Sequence, residues 1–470
     1  MRLFRLLPES WRPHRDEFRR TIGLALPIVG VQLGWMLMGL VDTLMVGRLS
    51  ARDLAAVALG NLFFMGIASF GMGLLMALDP LVAQAVGARD RLAASRAVQR
   101  GLVVAAVLTI PITLALLPAA PALRVLGQPR EVVPLAADYV FACLPGILPL
   151  LVFYALRQTL QAHGRVAPVL WTVLAANLAN AAFNWVLVYG KLGFPALGGV
   201  GAGWASSVAR LLLAVGLLAI GWPVLGPLVR PWRADAFAAR PLGRMVRLGS
   251  PVGLMTMLEF TAFGVTGLMM GWFGEVPMAG HQIALNLASF TFMVPLGIAS
   301  SGSVLVGHAI GRGDLPGARR ESGAALLLGV GFMTASALLF LVIPRILAGA
   351  FTTDAAVLAV AAALLPIAGV FQVFDGTQVV CAGLLRGLGD TRVPMLGNLV
   401  GFWVVGIPAG AFLAFRLGFG PPGLWWGLVV GLAAVGLLLL ARTASLLRRG
   451  VGRVRVDDDT GEHRALAEPA

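Results

Sequence analysis

Charge is scarce in this sequence. Only 12% of its 470 residues are Asp, Glu, Lys or Arg, while 58% are hydrophobic and the mean hydropathy is +0.87. A soluble domain carries about 25% charged residues, so a water-facing globule is excluded. A surface that faces hydrocarbon must itself be apolar, and that accounts for the deficit. Cysteine is nearly absent: Cys143 and Cys381 are the whole complement, too few for a disulfide framework or a thiolate metal site. His163, His281 and His308 lie near the ends of apolar segments and form no metal-ligand pattern. A polytopic membrane enzyme would need clustered Asp pairs for Mg²⁺, a buried His or metal-ligand spacing, and Asp457-Asp458-Asp459 reads as part of a polar tail and not as a functional acidic patch, so that class has little support. No cleavable leader is legible, because Arg2, Arg5, Arg12, Arg15, Arg19 and Arg20 precede an apolar stretch too long for a signal-peptide core.

What is present is a series of twelve apolar runs punctuated by Gly, Pro, Arg and Asp. Their approximate limits are 21–45, 53–78, 97–117, 132–156, 166–189 and 200–222, then 249–273, 279–303, 322–343, 356–380, 393–416 and 423–446. Each matches the ~20 residues a bilayer-crossing helix needs. The net charge of +14 points to basic loops on one side of a membrane, not to nucleic acid. With an inside N-terminus, strict alternation and span-edge residues assigned to the adjoining loop, inside segments hold 28 Lys/Arg and outside loops 7. Arg210 is then the one basic residue within a span. That asymmetry predicts both termini inside and a multi-pass protein of the inner (plasma) membrane.

The chain repeats itself. Leu26-Pro27-Ile28-Val29-Gly30 resembles Ser250-Pro251-Val252-Gly253 at a shift of 224, and Gln84–Asp90 resembles His308–Asp314 at the same shift. Leu160–Gly164 faces Leu385–Gly389 at 225. Six helices per copy give both copies one orientation, hence a pseudo-twofold along the membrane normal. The expected fold is an all-α polytopic membrane protein with 12 transmembrane helices in two six-helix lobes. Its expected parts are a basic N-terminal segment 1–20, an N-lobe 21–222, a connection 223–248, a C-lobe 249–446 and a disordered polar tail 447–470.

Three acidic residues lie well inside apolar spans: Asp42, Glu259 and Asp375; Asp138 is marginal. A carboxylate at mid-bilayer costs roughly 2.5–3.5 kcal/mol on insertion scales, so such groups face a protein interior or a wet cavity. The repeat maps Asp42 onto Thr266, Glu259 onto Trp35 and Asp375 onto Leu150, so these acids are not duplicated with the scaffold. That favours a site role over a structural one, the alternative being an ion pair with Arg210. Burial of a carboxyl favours its protonated form and a nearby cation its ionised form. A proton and a cation can thus compete for one group, the minimum requirement for antiport. Asn177, Asn180 and Asn184 offer amide oxygens that could complete a Na⁺ shell or bond between helices. Trp35 and Met38, near Asp42, and Phe371 and Phe374, near Asp375, are candidate apolar contacts for a large substrate.

Taken together, these segments resemble the multidrug and toxic compound extrusion (MATE) family, in its NorM-like bacterial branch. The resemblance rests on Pro27-Ile28, Gln32 and Val41-Asp42-Thr43-Leu44-Met45-Val46-Gly47, then Val82–Ala88, Asn180–Trp185 and Gly198–Gly201. It continues through Glu259-Phe260-Thr261, His281-Gln282-Ile283-Ala284-Leu285-Asn286, Asp375-Gly376-Thr377-Gln378 and Leu384–Asp390. It implies two lobes forming a V around a central cavity, and export of small-molecule cations by alternating-access antiport against Na⁺ or H⁺. No cofactor is implied, and a monomer in the lipid bilayer is expected. By resemblance, Asp42, Asn180 and Asn184 form an N-lobe site, and Glu259 and Asp375 a C-lobe cation site, with Gln282 and Asn286 as supporting polar groups. Na⁺ is a candidate ligand of either set. Na⁺-associated relatives carry a tyrosine where this chain has Phe371, which leaves the coupling ion open, and Arg210 has no place in the family pattern. A lipid-linked oligosaccharide flippase of the same superfamily is the alternative. Its cavity should be cationic, whereas three acids here face one arginine.

Overall fold

The computed structural model describes residues 8–457; Arg2, Arg5 and the tail from Asp458 onward lie outside them. Its long apolar helices number twelve: α1 (Arg15–Gly47), α2 (Ala51–Gly87), α3 (Arg91–Leu116), α4 (Val133–Ala162), α5 (Ala167–Tyr189), α6 (Gly199–Ile220), α7 (Ala239–Gly271), α8 (Glu275–Gly311), α9 (Leu315–Val342), α10 (Ala355–Gly387), α11 (Arg392–Arg416) and α12 (Pro421–Arg449). Leu26, Ile110, Leu178 and Val404 are more than 60% exposed although they sit mid-helix, which is how a lipid-facing surface reads.

The helices outrun the apolar runs. α7 starts at Ala239, ahead of the expected 249, because its Arg-rich first turns stay helical. The connection before it is ordered: it holds a short helix Trp222–Val229 and a 3-10 turn Ala234–Phe237. Gln99 secures it, with Nε2 donating to the carbonyls of Leu228 and Pro231, both at 3.0 Å, and Oε1 accepting from Arg233 N–H at 2.9 Å. The tail also differs from expectation at its start. Val454 N–H donates to Gln84 Oε1 at 2.7 Å, while Gln84 Nε2 donates to the Gly387 carbonyl at 2.9 Å.

The repeat extends to backbone conformation. Asp90 caps α3 by accepting from Ala93 N–H at 2.9 Å, and Asp314 caps α9 by accepting from Gly317 N–H at 2.8 Å. Each follows a left-handed residue, Arg89 at φ 56° and Gly313 at φ 74°, so one copy uses glycine where the other strains an arginine. The copies also meet reciprocally: a Cβ on Gly87 would strike the His308 backbone, and a Cβ on Gly311 would strike the Gln84 backbone.

The chain divides into two compact units. One contains the described part of Met1–Val29, Ala83–Arg89 and the described part of Leu254–Ala470; the other contains Gly30–Val82 and Asp90–Gly253. α1 and α7 therefore each change unit along their length, just after Pro27 and Pro251. Proline removes one ladder hydrogen bond, so both helices are locally weakened at that point. In the first unit the start of α1 is fastened to α9. Glu17 Oε1 accepts from Arg320 Nε at 3.1 Å, and Arg20 Nη2 pairs with Glu321 Oε1 at 2.8 Å. Ser301 of α8 donates to the Thr21 carbonyl at 3.0 Å.

α11 and α12 approach backbone to backbone. Gly423, Gly427 and Gly431 recur every fourth residue along α12, and a Cβ on any of them would meet backbone of α11. Such small-residue spacing lets membrane helices pack by dispersion where no hydrophobic drive exists between them. α11 is not uniformly α-helical: Leu399–Gly406 and Phe412–Arg416 form π turns. We expect Gly427→Ala to force α11 and α12 apart and cost about 1–3 kcal/mol. Thermal unfolding of detergent-purified protein checks this, with Gly264→Ala, where a Cβ has open space and only the gain in helix propensity is felt, as the control.

Candidate functional site

The three intramembrane acids fall into two clusters, one per unit. Asp42 lies near the end of α1. Its Oδ1 accepts from Asn184 Nδ2 at 2.5 Å and its Oδ2 from Ser206 Oγ at 3.1 Å. Asn184 Nδ2 also donates to Asn180 Oδ1 at 3.1 Å. Spacing of three to four residues puts Asn177, Asn180 and Asn184 on one face of α5, and Asn180 and Asn184 are fully buried. Asn180 Nδ2 and Asn184 Oδ1 remain without hydrogen-bond partners, so donor and acceptor capacity is left over beside the carboxyl. Asn177 is different. Its Nδ2 donates to the carbonyls of Gly34 at 3.1 Å and Val173 at 2.9 Å, which makes it a tie between α5 and α1.

Further down α1, Gln32 Oε1 accepts from Arg157 Nη2 at 2.9 Å. Trp35 packs on Phe153 and Tyr154 with centroids 5.9 and 6.2 Å apart, and its indole N–H is buried without a partner. Met38 is buried. Arg210 is 4% exposed and sits over the Phe64 ring at 4.3 Å, in no ion pair with any described carboxylate. It is not the sole arginine inside the helices. Arg157 is 3% exposed, because α4 continues past 156 to Ala162.

In the other unit Glu259 Oε2 accepts from Asn398 Nδ2 at 3.1 Å, and Asn398 Oδ1 accepts from Gln378 Nε2 at 3.1 Å. Asp375 lies one turn before Gln378 on α10 and is 5% exposed. Among the described residues, Glu259 is near enough to act on it by charge. Trp403 in the π turn donates its indole N–H to the Leu258 carbonyl at 3.1 Å, which fixes α7 beside Glu259. Above this, Gln372 Oε1 accepts from Thr291 Oγ1 at 3.0 Å.

Several candidates fall elsewhere. Phe371 is 2% exposed and packs edge-on against Phe263 and Trp425 in the core. Phe374 packs on the same core. Gln282 and Asn286 are exposed on α8, and neither is hydrogen-bonded to Glu259 or Asp375. Asp138 is exposed at the start of α4. Ser206, Gln378 and Asn398 are the additions; each was visible as a polar residue inside an apolar run, a signal no stronger than that of ordinary interhelical bonding.

None of the three acids is in an ion pair among the described residues; Asp42 and Glu259 are held by neutral amide and hydroxyl donors. A duplicated bundle of twelve apolar helices with such carboxyls inside defines a polytopic membrane protein built around internal charge. The MatE family model matches residues 27–186 and 251–412, two segments whose starts differ by the repeat shift of 224. The probable multidrug resistance protein NorM of Rhizobium meliloti (strain 1021) is 41% identical over 94% of this chain and 95% of its own length. The multidrug resistance protein NorM of Burkholderia vietnamiensis is 37% identical over 94% and 96%. The crystal structure of the eukaryotic MATE transporter AtDTX14 superposes with a TM-score of 0.84 at 22% identity, covering 92% of this chain and 98% of that one. The chain belongs to the MatE family.

We expect Asn398→Ala to strip Glu259 and Gln378 of a shared partner and to destabilise the protein by about 1–3 kcal/mol. A thermal midpoint in detergent equal to wild type would show that this bridge carries no stability.

Proposed function

We propose that the protein is a multidrug efflux transporter that exports cationic amphipathic compounds by antiport against Na⁺ or H⁺ through alternating access. It belongs, on this reading, in the bacterial inner membrane with both termini cytoplasmic, as a monomer. The observation that carries the proposal is the absence of ion pairing at Asp42, Glu259 and Asp375 among the described residues, with neutral donors at the first two. A carboxyl consumed by an arginine has no charge left for a ligand. One held by dipoles keeps it and can exchange a proton for a cation.

The two clusters suit a division of labour. Asp42, with the spare amide groups of Asn180 and Asn184, offers both charge and polar contacts to an organic cation. Glu259 and Asp375, two like charges near each other, favour occupation by a proton or a metal cation that relieves their repulsion. Oxygen donors suited to Na⁺ are close by, namely the Glu259 carboxylate and the Asn398 and Gln378 amides. Phe371 brings no hydroxyl to them. The names of the curated relatives, which describe multidrug resistance proteins, support the same reading.

In inverted membrane vesicles, ethidium movement should follow an imposed Na⁺ or proton gradient; folded protein that moves no ethidium under either gradient refutes antiport. Asp42→Asn should abolish that movement at wild-type expression, and transport that persists in this variant would remove Asp42 from the mechanism.

A further inference from the structure

Arg210 occupies a built position. It lies in the middle of α6 at 4% exposure and carries a planar cationic guanidinium. Its stem passes Gly146, at the 3-10 turn that interrupts α4; a Cβ there would sit 3.0 Å from Arg210 Cδ. Its guanidinium rests on the Phe64 ring at 4.3 Å, and Nη1 is buried with no hydrogen-bond partner. An isolated charge in a membrane interior is expensive and is normally paired. A ring face is a weak holder by comparison with a carboxylate. The natural partner is one helical turn away. Arg210 follows Ser206 by four residues, which puts both on one face of α6, and Ser206 donates to Asp42 at 3.1 Å.

We propose that Arg210 is a tethered internal cation that competes with the exported compound for Asp42. In the arrangement seen here the arginine is parked on Phe64 and Asp42 is left to Asn184 and Ser206. From that position its charge already acts on Asp42, so it opposes an organic cation at the carboxyl without leaving the ring. The arginine thereby assists release, since a unit charge acting across ~10 Å at an effective dielectric of ~20 is worth about tenfold in occupancy. This inference rests on the reading of Asp42 as the cation site.

Equilibrium binding of ethidium to the purified full-length protein, followed by fluorescence, tests it. Arg210→Met should bind about tenfold tighter than wild type and transport more slowly in vesicles, because release loses its competitor. In an Asp42→Asn background the same substitution should change binding little, and that loss of coupling is something a merely structural arginine would not produce. Arg210→Lys should stay near wild type. Phe64→Leu, which removes the parking place and keeps the charge, should weaken binding several-fold, and it carries the test if Arg210→Met does not fold. Wild-type affinity, or weaker binding, in folded Arg210→Met overturns the proposal, as does unchanged or tighter binding in Phe64→Leu. A wild-type protein that binds no ethidium overturns the reading of Asp42 itself.

Discussion

A carboxyl inside a bilayer can be held by a cation or by neutral dipoles, and the two solutions make different proteins. An ion pair is self-contained: the charges cancel, and removing either partner leaves an uncompensated charge. Amide and hydroxyl donors only lower the cost of the charge and leave it available. Asp42 and Glu259 are held in the second way, by Asn184 with Ser206 and by Asn398. The rest of the molecule serves that arrangement. Asn177 and Tyr189 tie α5 to α1 on either side of Asp42, at Gly34 and Met45, so the carboxyl cannot drift from its donors. Trp403 does the equivalent for Glu259 through the Leu258 carbonyl.

The two clusters differ in sequence logic. Backbone features repeat at the 224 shift: the prolines of α1 and α7, the aspartate caps of α3 and α9, the left-handed residues before them. The chemistry does not repeat. Each copy supplies the same kind of walls, and different acids have been placed on them.

Much of this was legible in advance, for identifiable reasons. A chain short of charge shows its membrane helices as apolar runs, so twelve helices and the positions of Asp42, Glu259 and Asp375 inside them could be read directly. Polar helix ends could not. The early start of α7 and the length of α4 that buries Arg157 lie where hydropathy has already fallen, and only tertiary packing keeps them helical. Ser206 and Asn398 were hidden because one hydroxyl or amide in an apolar run is commonplace. The packing of Phe371 in the core was not legible, because an aromatic next to an acid looks the same in sequence whichever way it turns. The tail's first residues were misread for want of apolar content; a single amide, Gln84, holds Val454.

Gly87 and Gly311 carry one more implication. Each lies against the backbone of the other copy's equivalent turn, at His308 and Gln84. Anything larger at either position pushes on the strand of chain that leads to its twin. The pair is therefore a seam that has to stay bare on both sides at once.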